Sequence, residues 1–175
     1  HKIQNIFEVK PMNQQPSMYT KPTILALLML LFIPKLNAQT VSMNEVMAAN
    51  ISTLEDEDGE FEDWIELYNY GTTAVNLSGF GLSDDSKQPF KWMFPNTTLQ
   101  PNAYLLVWAS GKNRNATGSP LHTNFNISSE GEELVLTAAN GKPIDKLAPT
   151  PIPRNYSYGR LPNGTGAWHY YTATS

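Results

Sequence analysis

The sequence contains no cysteine. Disulfides, thiolate chemistry and cysteine-ligated zinc are therefore excluded, and a folded domain of this size has to be held by an apolar core. Histidine is nearly absent too, with only His1, His122 and His169. There is no Ser-x-x-Lys, no nucleophile elbow, no HExxH and no phosphate-cradling glycine loop. Catalysis needs a convergent set of reactive groups, so no enzyme is expected within these residues. Long hydrophobic runs are missing as well. The longest, at 24–33, has ten residues, well short of the ~20 that span a bilayer as a helix. No helix-period stretch follows it.

The run at 24–33 has a different use. The chain opens on His1, with methionines at Met12 and Met18. Starting at Met18, Lys21 supplies a positive region, 24–33 the apolar stretch and Pro34 its end, with cleavage after Leu36-Asn37-Ala38. The expected organisation is an upstream segment at 1–17, a signal peptide at 18–38 and a domain at 39–175. The protein is then secreted or displayed at the cell surface, with no membrane insertion after cleavage. The first 38 residues hold Lys2, Lys10, Lys21, Lys35 and Glu8, leaving eight basic and fifteen acidic residues, a net charge of −7. Such a surface repels phosphate backbones and anionic lipid, which argues against nucleic acid as a partner.

What is abundant is turn chemistry and β-formers. Thirteen Pro and eleven Gly punctuate short aromatic and β-branched segments, which predicts strands at 41–48, 63–69, 74–77, 80–82, 90–94, 104–109, 133–137, 144–147 and 167–172. In 63–69, Ile65 and Leu67 alternate against Trp64, Glu66 and Tyr68, so Ile65, Leu67, Leu134 and Leu136 are expected in the core. Asn140-Gly141 predicts a hairpin. Pro149, Pro151 and Pro153 exclude a central strand at 148–154. Strand-length segments about every ten residues predict an all-β sandwich or barrel.

Several segments resemble the lamin-tail domain family in its secreted bacterial members. They are Asn44-Glu45-Val46, 63–69, 76–84, Phe94-Pro95, 99–107, Gly131-Glu132-Glu133-Leu134-Val135-Leu136, 157–164 (Ser-Tyr-Gly-Arg-Leu-Pro-Asn-Gly) and Trp168. The resemblance implies an immunoglobulin-like β-sandwich acting as a non-catalytic interaction or adhesion module, with a protein or a glycan at the cell surface as partner. Relatives of this kind often continue beyond the last tryptophan and accompany kinase-like or nuclease domains or sorting segments. The expectation is therefore the N-terminal accessory domain of a larger protein, with an accessory fragment of a secreted enzyme or a carbohydrate-binding module as the alternatives. The apolar heptads of a lamin rod do not occur here.

Two groups of charged residues stand out. Asp56, Asp58, Glu60 and Glu62 alternate carboxylates around Gly59, a composition that suits calcium if the loop folds around the glycine. Their spacing is not an EF-hand, and Asp56, Asp58 and Glu60 are expected to be exposed and to repel one another. No other cofactor is expected. Glu45, Glu66 and Arg160 lie in strand-like or family-matching segments, where a charge is unusual unless paired, and are expected to form a structural ion pair group. Trp64, Trp92, Trp108 and Trp168 could stack on sugars or belong to the core. Seven Asn-x-Ser/Thr triplets, starting at Asn50, Asn76, Asn96, Asn115, Asn126, Asn155 and Asn163, are read as turn-forming composition.

Overall fold

The structure, a computed structural model, describes residues 40–172. The expected upstream segment and signal peptide lie outside the described residues. Among the described residues there are twelve strands and no helix. They are β1 (Val41–Met47), β2 (Trp64–Asn69), β3 (Val75–Asn76), β4 (Gly81–Ser83), β5 (Trp92–Met93), β6 (Thr98–Leu99), β7 (Tyr104–Trp108), β8 (Leu121–His122), β9 (Leu134–Thr137), β10 (Pro143–Leu147), β11 (Tyr156–Leu161) and β12 (Ala167–Thr172). One sheet has six strands in the order β12-β11-β1-β2-β7-β8, a second has four in the order β10-β9-β4-β5, and β3 pairs with β6. All neighbours are antiparallel except β7 and β8. The fold is all-β and sandwich-like, as the strand spacing predicted.

Period-two alternation sets the inner faces. Ile65 and Leu67 of β2 and Leu136 of β9 have no exposed surface, and Leu134 is buried beside them. They join Val41, Val46, Leu82, Trp92 and Val107 in the main core. The opposite side of the large sheet has a smaller apolar cluster of Met47, Trp64 and Trp108 with Leu106 packed against it. Asn140-Gly141 closes the hairpin between β9 and β10, with Gly141 at φ 84. No strand runs through 148–154.

Three strands were not predicted. β6 and β8 have two residues each, too few for alternation to register. β11 interrupts its aromatic pattern with Gly159 and Arg160. Gly159 lies against Glu45 in the register with β1, where an added Cβ would stand 3.0 Å from the Glu45 side chain and 3.2 Å from the Tyr171 ring.

Candidate functional site

The acidic loop between β1 and β2 does fold around Gly59, whose φ of 79° is the left-handed conformation glycine adopts without strain. Asp56 organises the turn. Its Oδ1 accepts the amides of Asp58 at 2.9 Å and Glu60 at 3.0 Å, and its carbonyl accepts the amide of Gly59 at 3.0 Å. Asn50 braces the loop from behind, donating from Nδ2 to the carbonyls of Leu54 at 2.7 Å and Glu62 at 2.8 Å. That triplet asparagine is buried, consistent with a local structural use.

The four nominated carboxylates converge, and what they converge on is Lys112. Its Nζ contacts Asp56, and lies 2.9 Å from Asp58 Oδ2, 2.6 Å from Glu60 Oε2 and 3.5 Å from Glu62 Oε1. Arg114, two residues on, places Nη1 2.7 Å from Glu57 Oε1 and Nη2 2.7 Å from Asp58 Oδ2. The expectation of a solvated, self-repelling loop with Asp56 exposed is thus corrected. Asp56 is only 7% exposed, because a buried carboxylate persists when a cation and backbone amides compensate its lost hydration. Burial would raise its pKa, but Lys112 and the amides of Glu60 and Asp58 hold it below the ordinary value. Hydrogen bonds from Arg114 and Lys112 depress Asp58 to about 2. For Lys112, burial acts downward, yet its bonds to Asp56, Glu60 and Asp58 carry its pKa above the ordinary value. Oxygens of Asp56, Asp58 and Glu60 lie within 4.8 Å of one another, a cage that suits one cation. A calcium ion would have to displace the ammonium that already contacts them.

Behind this network His122 is fully buried on β8. Its Nδ1 is 2.8 Å from Ser110 Oγ, and its Nε2 is 3.0 Å from both oxygens of Glu57. Serine, histidine and carboxylate in line resemble a hydrolytic relay, but the surroundings are wrong for one. The amide of Gly111 is donated to the Phe125 carbonyl and that of Lys112 to Ser110 Oγ itself, so these neighbouring amides are not available to an oxyanion. Trp108 stacks on the imidazole at 6.3 Å. The line acts as a tether from β8 to the acidic loop. The strands predicted from sequence did not include His122. The spacing Lys112-x-Arg114, which puts two cations on one side of an extended segment, was the available clue to its surroundings.

The second group does not assemble as expected. Glu45 and Glu66 are directly opposite on β1 and β2, whereas Arg160 alternates with Gly159, the residue facing Glu45, and so points to the other side of the sheet. There it meets Asp145 of β10 at 2.8 and 3.1 Å, and donates Nε to the Met43 carbonyl at 3.0 Å and Nη1 to the Gly166 carbonyl at 3.1 Å. Asp145 Oδ2 in turn accepts the Met43 amide at 2.9 Å. The register of β1 shifts between Met43 and Glu45, so the Arg160–Asp145 pair stitches a β-bulge of one sheet to the other sheet. Trp168 packs over the Arg160 guanidinium at 4.6 Å. Glu66 accepts a hydrogen bond from Asn44 Nδ2 at 2.9 Å. Burial, with help from the Glu45 charge, pushes its pKa up against that bond.

Trp64, Trp92 and Trp108 are buried and Trp168 is stacked on Tyr158 at 5.3 Å, so the tryptophans do not form an exposed stacking face. A concavity of about 530 Å³ lies where Met47 and Trp64 meet the neighbouring loops. Leu54, Leu161, Tyr171 and Glu45 line it, and Leu54 and Leu161 are respectively 44% and 60% exposed.

This architecture defines an immunoglobulin-like β-sandwich. The sequence model of the Lamin Tail Domain family matches residues 34–150, and the chain belongs to that family. A search among curated proteins gives no match. The family's domain is an immunoglobulin-like, non-enzymatic interaction module. The match ends before β11 and β12, which nonetheless complete the large sheet beside β1.

Proposed function

We propose that this is a non-catalytic interaction module of an exported protein, and that it engages a polypeptide partner of mixed basic and apolar character through the groove at Met47 and Trp64. The observation that carries the reading is the groove itself: an apolar floor, exposed Leu54 and Leu161 on its walls, and Glu45 among its lining residues. Exposed apolar surface rimmed by polar groups is what binding faces present. Glu45 and Glu66 are opposed like charges with no salt bridge among the described residues, an arrangement that costs stability and that a partner's lysine or arginine would relieve. Buried tryptophan rings favour a polypeptide over a glycan. Export is supported by Lys21, the apolar run at 24–33 and Ala38. N-terminal sequencing of the secreted product is expected to begin at Gln39, and a product retaining 24–33 would refute cleavage.

Labelled protein is expected to bind intact cells of the producing organism saturably, and protease treatment of the cells is expected to remove that binding. The double variant Leu54→Asp, Leu161→Asp should weaken it by about tenfold or more with thermal unfolding unchanged. Binding that survives proteolysis, or that the variant leaves intact, would overturn the reading.

A further inference from the structure

An edge strand presents unpaired amides and carbonyls to any extended chain, and proteins ordinarily blunt it. Most edges here are blunted. β8 has two residues and is further closed by mutual backbone bonds between Arg114 and His122, at 3.0 and 2.8 Å. β5 has two residues. β10 starts at Pro143, shifts register between Pro143 and Asp145, and carries Asp145 and Lys146. Short length, proline, bulge and charge are the usual devices.

β12 uses none of them. It is outermost in the six-stranded sheet, and its six residues, Ala-Trp-His-Tyr-Tyr-Thr, contain no proline and no acidic or basic side chain apart from His169. Its register with β11 runs unbroken from Tyr156↔Thr172 to Leu161↔Ala167. Among the described residues, its backbone has no hydrogen bond to any segment but β11. Ala167, His169, Tyr170 and Thr172 are exposed.

We propose that β12 is an assembly edge and that its partner is the β12 of a second copy, paired antiparallel about a two-fold axis. Only another extended strand matches alternating donors and acceptors along the whole edge. The domain from 39 to 175 carries a net charge of −7, so two copies repel over most of their surface. The β12 edge is a strip where like charges do not meet when a copy faces itself. A two-fold axis satisfies both edges with one contact. Because opposed residues of an antiparallel pair point to the same face, the axis passes between a residue and its own copy. At His169 it sets Trp168 against Tyr170, and at Tyr170 it sets His169 against Tyr171, each an aromatic cross-strand pair of a favourable kind.

Analytical ultracentrifugation of the full chain tests this from about 10 μM to about 500 μM, a range in which mass action drives a weak dimer. The average mass is expected to climb toward twice the monomer, and amide exchange in 167–172 to slow as concentration rises. His169→Glu brings two carboxylates together at or beside the axis and is expected to weaken the dimer by about tenfold or more. His169→Gln, similar in size and uncharged, should retain it. Unchanged thermal unfolding of both variants separates lost pairing from lost folding. A wild-type chain that stays monomeric at about 500 μM, a dimer that His169→Glu leaves intact, or exchange in 167–172 that ignores concentration would each overturn the proposal.

Discussion

The acidic loop and the Arg160 clamp are both built from carboxylates and a cation brought together across the chain, yet they are assembled by opposite means. In the loop, neighbours in sequence are gathered by a turn on Gly59 and then collect Lys112, a residue more than fifty positions away. In the clamp, the two charged partners are fifteen residues apart and lie on different strands. Arg160 and Asp145 meet because β11 and β10 belong to different sheets facing each other across the core. A turning backbone can aim alternate side chains at one point, whereas a strand sends them to opposite faces. For that reason Glu45 and Glu66, on the outer side, cannot share the guanidinium of Arg160. Surroundings differ as well. Both partners of the clamp are largely shielded, with side chains 15% and 13% exposed; in the loop Lys112 and Asp56 are shielded too, but Asp58 and Glu60, which share the same cation, are 38% and 60% exposed. Shielding makes a charge pair costly to break, and exposure makes it cheap.

The largest expected effect is therefore at the clamp. Arg160→Ala leaves Asp145 without its cation and the β1 bulge without its donor to Met43, and should cost about 3 kcal/mol, read as a lower urea midpoint. A loss below about 0.5 kcal/mol would mean that the clamp decorates the sandwich without holding it.

Lys112→Met should cost about 2 kcal/mol at low salt, because the buried Asp56 keeps only its two amide bonds and the exposed carboxylates lose a shared cation. The deficit should shrink as sodium chloride rises, a dependence that Arg160→Ala should show only weakly. For the unmodified protein, calcium, magnesium and sodium chloride at matched ionic strength are expected to give equal small shifts in Tm. A calcium-specific rise of several degrees that Asp58→Asn abolishes would show that calcium displaces Lys112.

Acid separates the regions further. Asp58, bonded by Arg114 and Lys112, and Glu133, bonded by Lys146 and Ser86, titrate at about 2. A carboxylate depressed in the folded state contributes stability that is full above its unfolded pKa, near 4, and is lost as pH falls through its folded value. Stability should decline between about pH 4 and about pH 2, and Lys112→Met should flatten that decline. Equal slopes in the two proteins would remove the loop as its source.

The smallest effect is expected at Glu66. Its pKa is raised, so its charged form costs stability at neutral pH, and Glu66→Gln, which can still accept from Asn44, should stabilise by about 0.5 kcal/mol or less at pH 7. The gain should vanish once the pH is low enough to protonate Glu66 in both states. A destabilised variant at neutral pH would show that the Glu45–Glu66 pair has a cationic partner.

Strand positions were legible where alternation ran long enough. Ile65 and Leu67 announced the inner face of β2, and Asn140-Gly141 announced the hairpin between β9 and β10, since both signals are local. The two-residue strands β6 and β8 had no period to read. The acidic loop was visible as composition, and a turn on Gly59, named from sequence only as a condition, is present in the structure. Its counter-ion was not visible, because no local rule links Lys112 to residue 56. The expected partnership of Glu45 and Glu66 with Arg160 went astray because it assumed a shared face, and facing is fixed by register.

By itself the sequence determined an all-β chain without disulfides, its main core residues, its acidic surface and its likeness to the lamin-tail family. Those properties follow from hydrophobic period, turn residues, charge and ordered motifs, all read along the chain. Only the tertiary structure decided that Lys112 fills the cage of carboxylates, that Asp145 takes Arg160, that His122 is buried beside Glu57, and that β12 is outermost in the large sheet among the described residues. Each of these depends on which strands become neighbours, and strand order joins residues through space at separations that local chemistry does not encode.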